Sequence, residues 1–449
     1  MPGCAGRNAA GDGPRTLRER RRRTSARHGA RFVRPIAVVL AVMALVADAA
    51  AVGESLPAVM PADTAGLIAF VTSEGRIALV DPESGERGLI VGAAGQARFP
   101  SWSPDGEAIA AIVLGPHGAS VDVHHPARGS HQRVYARHEA PLYHDWSPDG
   151  SRLAVLARRS DLLGLYLVPV PAGEPRLFAA GDPLFWSWAD GGSALLLHRN
   201  GLRPTAEVGV TRLDAYALEF AFPQPGAFRV PAMAAGGHWI AYATRAGARA
   251  RDEVREVVLQ RIGAPTSDDD QHQLPHAGVA AFAWHPRRDW LAVQRPLGDS
   301  PDGYGPIVLI DAHSGEVTTI TDEASVAFWW SPDGGSIAYL TLVEDDTIGP
   351  LWHVAQHSTD ELRFALWVAD IATGFERQLA RISPSPSLLH EYLPSFDQYS
   401  RSNRLWSPAS DALVLPVLDA NGVSVLAVFG LDGSVVSLGP GDMPAWNVR

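Results

Sequence analysis

The sequence has no lysine and a single cysteine. All 38 basic residues of the 449-residue chain are arginine, a bias that reflects base composition and predicts no function. Cys4 lies ahead of an apolar segment near the N-terminus, so a chain cleaved after that segment would contain no thiol. Such a chain can form no disulfide and has no cysteine nucleophile, and its cysteine content does not indicate a redox compartment.

Long apolar runs are also missing. The apolar run Pro35–Ala47 has 13 residues, whereas an α-helix needs roughly 20 to cross a bilayer. It follows ten arginines and precedes the small residues around Ala47-Asp48-Ala49, a pattern typical of a secretory signal peptide. We predict that residues 1–52 are a basic N-region and signal peptide, with an uncleaved membrane anchor as the alternative. Residues 53–65 then form a linker, and the protein is exported to the periplasm, the cell envelope or the extracellular space.

Negative charge dominates the remainder of the chain. Residues 1–49 carry a net charge of +7, which leaves −18 for the rest of a protein whose total is −11. An acidic body does not attract nucleic acid through net charge, so we predict no nucleic-acid partner. The apolar fraction of 46% and the charged fraction of 19% are those of a folded globular protein.

One pentapeptide recurs along this acidic part. Trp-Ser-Pro-Asp-Gly occurs at Trp102–Gly106, Trp146–Gly150 and Trp330–Gly334, each time followed by a short apolar run. A tryptophan at the end of a strand, a Pro-Asp-Gly turn and a second strand make a β-hairpin. Repetition of that hairpin every forty-odd residues predicts an all-β fold, a β-propeller, over residues 66–449.

Degenerate copies of the motif set the number of blades. They begin at Trp188, Met233, Trp284 and Trp406. The last step is longer than the others, which indicates an insertion, placed around residues 342–362. The strand ending at Trp446 has no partner after it, and Leu67–Val71 has no anchor strand before it. Pairing these two ends would close the ring, giving eight blades, or seven if the Met233 copy is irregular.

A second turn series supports this count. Asp81–Gly85, Asp311–Gly315 and Asp370–Gly374 each follow an apolar strand, as expected for the hairpin between the third and fourth strands of a blade. Together the two turns resemble the WD40-like repeat of TolB-type propellers. That resemblance implies a propeller, here without the N-terminal domain of TolB. It implies no peptidase activity, because the sequence lacks the Gly-x-Ser-x-Gly motif of the related peptidases.

The connections on one face of the predicted propeller are long. They are Thr244–Glu256, Gln294–Pro306, Leu342–Glu361 and Arg381–Arg401, and they lie opposite the short motif turns. Long loops on a rigid scaffold commonly carry binding sites. We call this surface the long-loop face.

Arginines collect at the second-strand ends on that face. They are Arg158, Arg159, Arg199, Arg245 and Arg295, in four consecutive blades. Guanidinium groups suit bidentate contacts with carboxylates or phosphates. We predict that this arginine arc binds an anionic group, the alternative being solvated charges at strand ends.

These observations favour an exported, non-catalytic, monomeric propeller scaffold. Its partner would be a protein or anionic ligand on the long-loop face, with membrane contact only through an uncleaved N-terminal segment. The alternative is a secreted lyase or hydrolase acting on an acidic glycan or small anionic substrate at the channel mouth. We predict no catalytic residues, no cofactor and no metal. His124, His125, His131, His138 and His144 are weak candidates for a metal site or a general base.

Overall fold

The computed structural model describes residues 63–90, 92, 95–201, 203–214, 218–221, 225–246, 254–263, 270–296, 304–343 and 362–449. The predicted signal segment and most of the predicted 342–362 insertion lie outside them. Within the described ranges, no helix is long and apolar enough to span a membrane. These residues form antiparallel β-sheets, which confirms the all-β prediction.

Three four-stranded antiparallel sheets come first along the chain. The first contains β1 (Ile68–Val71), β2 (Ile77–Val80), β3 (Arg87–Leu89) and the C-terminal β30 (Asp442–Trp446). The second contains β4 (Gln96–Trp102), β5 (Ile109–Gly115), β6 (Gly118–His125) and β7 (Ser130–Tyr135). The third contains β8 (Pro141–Trp146), β9 (Arg152–Arg159), β10 (Leu162–Pro169) and β11 (Arg176–Gly181). Each repeated tryptophan ends the strand that we call the anchor strand of its sheet.

Two further sheets have the same form. One contains β12 (Leu184–Ala189), β13 (Ala194–Arg199), β14 (Glu207–Arg212) and β15 (Leu218–Ala221). The other contains β16 (Ala232–Met233), β17 (Trp239–Ala246), β18 (Val254–Arg261) and β19 (Gln271–His276). The anchor strand β16 has only two residues, at the copy that carries methionine in place of tryptophan.

A seven-stranded sheet follows, and one long strand joins its halves. Its strands are β20 (Ala281–Trp284), β21 (Trp290–Gln294), β22 (Gly305–Asp311), β23 (Val317–Trp330), β24 (Ser336–Leu342), β25 (Phe364–Asp370) and β26 (Glu376–Ile382). The first half of β23 pairs with β22 and the second half with β24. It is the fourth strand of one half and the anchor strand of the next.

The last sheet contains β27 (Ala412–Leu418), β28 (Ser424–Gly430) and β29 (Val435–Pro440). Trp406 adds an anchor position through a single bridge to Leu413. The C-terminal strand β30 instead joins the first sheet, where Trp446 pairs with Ile68 of β1. The expected pairing of the two chain ends is therefore present.

Hydrogen bonds explain why the motif serine and aspartate recur. Ser147 donates to Asp149 Oδ1 at 2.6 Å and accepts the backbone N–H of Arg152 at 3.0 Å, while Asp149 accepts the N–H of Ser151. The same network forms at Ser103 and at Ser331. Burial acts to raise the pKa of the motif aspartates, but the serine and backbone hydrogen bonds outweigh it and lower the pKa.

The anchor tryptophans join consecutive sheets. Each of five indole N–H groups donates, at 2.9 to 3.3 Å, to a carbonyl on the preceding anchor strand: Trp102 to Ala445, Trp146 to Ser101, Trp284 to Ala232, Trp330 to Ala283 and Trp406 to Trp329. The backbone N–H of Trp446 donates to the carbonyl of Arg404, two residues before Trp406, at 2.8 Å. These tryptophans are structural.

Apolar cores lie between neighbouring sheets. Ile112 of β5 shares a core with Val155 of β9, and Phe70 of β1 shares one with Leu426 of β28. Both faces of each sheet are therefore covered, and second strands such as Leu153-Ala154-Val155 are buried without alternation.

The stretch between β26 and Trp406 is the main departure from the expected loops. Residues 383–404, which we call the central segment, contain a π-helical turn (Leu388–Tyr392), a 3₁₀ turn (Leu393–Ser395) and the helix α1 (Phe396–Ser402). The predicted long loop Arg381–Arg401 is therefore largely helical, and most of its residues are buried or half-buried. Another predicted loop, Thr244–Glu256, is shorter than expected, because β17 continues to Ala246 and β18 begins at Val254.

Candidate functional site

The predicted arginines lie at the expected strand ends, but their surroundings differ. Arg158 and Arg159 end β9, where Arg159 pairs with Leu162 across a tight turn. Arg158 is half-buried and Arg159 is exposed. The pKa of Glu139 is lowered first by a hydrogen bond from its own backbone N–H, and also by the charge of Arg159, which therefore lies near it.

The other three positions are not equivalent to these. Arg199 ends β13 and donates through Nε to Glu207 of β14 at 2.7 Å, so its charge is already paired. Arg295 follows β21, is half-buried, and donates its backbone N–H to Pro306 at 2.8 Å. Arg245 lies on β17 opposite Arg255, and its side chain is outside the described part of the chain.

The central segment lies against the anchor strands of several sheets. The ring of Tyr399 stacks on Phe99 at 4.9 Å between centroids and meets the edge of Tyr143 at 5.1 Å. On the other side, Phe396 packs on Phe328 of β23 at 5.5 Å. Because these partners come from β4, β8 and β23, α1 lies between the anchor strands of different sheets, in a position that we call the central space.

Polar contacts fix the segment in place. Tyr143 Oη donates to the carbonyl of Gln398 at 2.9 Å, and Asn403 Nδ2 donates to the carbonyl of Pro100 at 2.8 Å. Arg98 of β4 forms an ion pair with Glu391, whose side chain is 16% exposed. Several sheets are thus tied to one short stretch of chain.

Five charged side chains meet around α1. This central charge cluster comprises Asp145 of β8, Arg229, and Asp397, Arg401 and Arg404 of the central segment. Arg401 donates through Nη2 to the carbonyl of Pro231 at 3.3 Å. Its charge interacts with those of both Asp145 and Asp397.

Burial dominates the protonation of this cluster. It raises the pKa of Asp145 to about 7, against the opposing charges of Arg401 and Arg404. It also raises the pKa of Asp397, against the charges of Arg229 and Arg401. Within the described residues, neither carboxyl oxygen of Asp397 and neither amide atom of Gln398 has a hydrogen-bond partner. The interior around α1 therefore contains buried polar atoms to which the surrounding side chains supply no hydrogen bond.

The histidines do not assemble into a site. His124 stacks on His131 at 5.7 Å, and His144 shares a 2.9 Å hydrogen bond with Ser101 in the interior. Over the ranges that the structure covers, no three His, Cys, Asp or Glu residues are placed to hold one metal ion.

The sequence contains a signal for the cluster that the repeat period alone does not reveal. The position before the anchor residue is occupied by serine or alanine in most copies and by Trp329 and Leu405 in two, but by Asp145 in the third sheet. A carboxyl at a position otherwise occupied by small or apolar residues indicates a special role. The stretch Phe396–Arg404 likewise mixes aromatic and charged residues in a segment that we expected to be a surface loop.

Comparison with known proteins supports the fold alone. No protein-family model and no curated protein matches the chain. Among solved structures, a eukaryotic initiation factor shares 12% identity at a TM-score of 0.51, covering 86% of this chain and 99% of the other. The dihydro-heme d1 dehydrogenase NirN, in complex with DHE, shares 14% identity at 0.50, covering 88% and 78%.

TolB structures are also among the matches. Putative TolB from Agrobacterium tumefaciens shares 16% identity at a TM-score of 0.37, covering 71% of this chain and 90% of the other. With successive four-stranded antiparallel sheets joined at their anchor strands, the fold is of the β-propeller type.

Proposed function

We propose that this chain is an exported binding scaffold, a closed eight-bladed β-propeller that presents a protein or anionic partner site on its long-loop face. The proposal rests on the packing of the central segment against the anchor strands. The centre of a propeller is where an enzyme would need converging polar groups in an open pocket. Here the aromatic rings of Tyr392, Phe396 and Tyr399 pack against the anchor strands in that position.

The sheet order supports eight blades and a closed ring. The seven-stranded sheet divides at β23 into two four-stranded blades, and Trp406 supplies the anchor position of the last. The bond from Trp446 to Arg404 and the core shared by Phe70 and Leu426 then join the last blade to the first. Radial repetition leaves only short, protected sheet edges and gives a rigid support for loops.

The arginine arc is the part of the long-loop face that we assign to partner binding. Arg158, Arg159 and Arg295 have no ion pair with a carboxylate among the described residues, whereas Arg199 is paired with Glu207. We therefore expect an anionic partner to bind Arg158 and Arg159 more readily than Arg199, whose charge is already paired. Export follows from the predicted signal peptide in residues 1–52.

The experiment compares capture from an envelope fraction by two variants. One changes Arg158, Arg199, Arg245 and Arg295 to alanine. The control changes Arg287, Arg288 and Arg377, exposed residues beside the short turns of the opposite face. We expect the first variant to lose the partner that the wild type retains and the control to keep it. Equal capture by both variants would contradict the assignment, and the N-terminal residue of the exported protein tests cleavage near Ala49.

A further inference from the structure

The turn between β20 and β21 is closed differently from the other motif turns. In the copies at Ser103, Ser147 and Ser331, the backbone N–H of the motif glycine donates to the carbonyl of the serine at 2.8 to 2.9 Å. In the copy that begins at Trp284, His285 takes the place of the serine and Arg288 that of the glycine. Within this described turn, no hydrogen bond joins the Arg288 N–H to the His285 carbonyl. We call residues 285–288 the histidine turn.

An imidazole nitrogen closes the histidine turn instead. Nδ1 of His285 accepts the backbone N–H of Arg287 and the backbone N–H of Arg288, both at 2.9 Å. Because Nδ1 is an acceptor, the ring is neutral and carries its proton on Nε2. A carbonyl keeps its lone pairs at every pH, whereas Nδ1 can no longer accept a hydrogen bond once the imidazole has taken up a second proton. The closure of this turn therefore depends on the protonation of one side chain.

His285 is also packed against the next motif turn. The side chain is 4% exposed. Its ring meets the ring of Trp330 of β23 edge to face at 4.9 Å and the ring of Trp290 of β21 at 5.7 Å. A Cβ placed on Gly334, in the turn between β23 and β24, would overlap Nε2. The imidazole thus links the turns of the two halves of the seven-stranded sheet.

The charges around the imidazole are mainly positive. They are Arg287 and Arg288 of its own turn and Asp333 of the next turn, while β21 and β23 present the two indole rings. Burial lowers the pKa of His285 below its usual 6.5, and the two arginine charges add to this effect. A hydrogen bond with the backbone of Gly334 and the charge of Asp333 oppose it without reversing it.

We propose that the histidine turn is a pH-sensitive latch, closed while the His285 imidazole is neutral and opened when the imidazole takes up a proton from solvent. The proton binds Nδ1, the ring nitrogen that carries none, so the N–H groups of Arg287 and Arg288 lose their acceptor together. A buried imidazolium beside two guanidinium groups is unfavourable, so the ring leaves its position against the next turn. The latch lies on the face of the short turns and does not rest on the proposed partner binding.

Hydrogen exchange of the purified protein between pH 7 and 4.5 tests the latch, with each rate divided by the intrinsic rate at that pH. The backbone N–H groups of Arg287 and Arg288 should lose protection about tenfold or more toward pH 4.5, as expected when a hydrogen bond is lost. The N–H of Gly150, bonded to a carbonyl in the Trp146–Gly150 turn, should keep its protection and is the internal control.

His285→Asn is the matched variant. The asparagine amide oxygen can take the place of Nδ1 as acceptor and does not titrate, so the turn should stay protected over the whole range. His138→Asn, at an exposed histidine outside this turn, should behave as the wild type does.

Three results would overturn the proposal. They are an equal loss of protection in the two turns of the wild type, full protection of Arg287 and Arg288 at pH 4.5, and the same pH dependence in His285→Asn as in the wild type. The comparison of the two turns uses the wild type alone, so it decides the question whether or not His285→Asn folds.

Discussion

The hydroxyl of Tyr143 donates a 2.9 Å hydrogen bond to the backbone carbonyl of Gln398, and so links the anchor strand β8 to α1. Tyr143 is 4% exposed and its ring packs against both Trp186 and Tyr399. Burial raises the pKa of this phenol well above its ordinary value, so it remains a donor at any physiological pH.

Replacing Tyr143 by phenylalanine should loosen the central segment. The change leaves the Gln398 carbonyl without its donor, which costs about 1–3 kcal/mol. Hydrogen exchange should therefore accelerate most in residues 388–403. Tyr242→Phe removes a comparable 2.8 Å bond to Gln260 in another sheet and serves as the control. Equal acceleration of the central segment in both variants would argue against a specific link.

His144 and Asp145 should give opposite dependences of stability on pH. Burial lowers the pKa of His144 from 6.5 to about 4, so its contribution is present above pH 6.5 and is lost as the pH falls toward 4. Burial raises the pKa of Asp145 from 3.8 to about 7, so its contribution is present below pH 3.8 and is lost as the pH rises toward 7.

Between pH 4 and 6.5 the increase of stability with pH that His144 causes and the decrease that Asp145 causes partly cancel. Asp145→Asn should therefore make the melting temperature rise more steeply with pH over this window. His144→Gln should leave a decline, to which Asp397 adds because its pKa is also raised. Melting curves at half-unit pH steps measure how the melting temperature of each variant changes with pH. The same pH dependence in both variants would show that His144 and Asp145 do not act in opposite directions.

The motif serine Ser147 should contribute more to the free energy of unfolding than Ser151 in the same turn. Ser147 is fully buried and both donates to Asp149 and accepts the N–H of Arg152. We expect Ser147→Ala to lower the free energy of unfolding by about 1–3 kcal/mol. Ser151, which is partly exposed and also bonds Asp149, is the matched comparison, and Ser151→Ala should cost less than about 0.5 kcal/mol. Denaturant titration distinguishes the two costs, and equal losses would contradict this reading of the motif.

Trp446 should be among the most sensitive positions, because it pairs the two ends of the chain. It is 4% exposed, its indole donates to Gly66 at 2.8 Å, and its backbone bonds Arg404. Trp446→Ala should cost about 3–5 kcal/mol. The exposed Val435 on β29 provides a control whose replacement by alanine should change stability little. A small effect at Trp446 would contradict the proposed closure.

Local patterns predicted the sheets well, because hairpin chemistry is local. The serine and aspartate of each motif bond within their own turn, so five residues are enough to recognise them. The pairing of Ile68 with Trp446 was also predictable, since each end of the chain lacked a complementary strand.

The centre was not predictable in the same way. Tyr399 meets Phe99 and Tyr143, partners some 300 and 256 residues earlier in the chain, and no local pattern specifies such contacts. The repeat period places Arg381–Arg401 in a surface loop because this stretch interrupts the repeat. The arginines of the arc lie at or beside strand ends, and their binding role stays a prediction. The carboxylate of Glu207 opposite Arg199 depends on strand register, which no local pattern shows.

The central segment also determines when the molecule is completed during synthesis. Residues 383–404 and the closing strand β30 both come from the last seventy residues of the chain. The sheets before them emerge from the ribosome without the helix that fills their centre or the strand that pairs with β1. A nascent chain therefore holds Phe99, Tyr143 and Phe328 exposed until the central segment has been synthesised, and this interval is when the protein depends most on protection from aggregation.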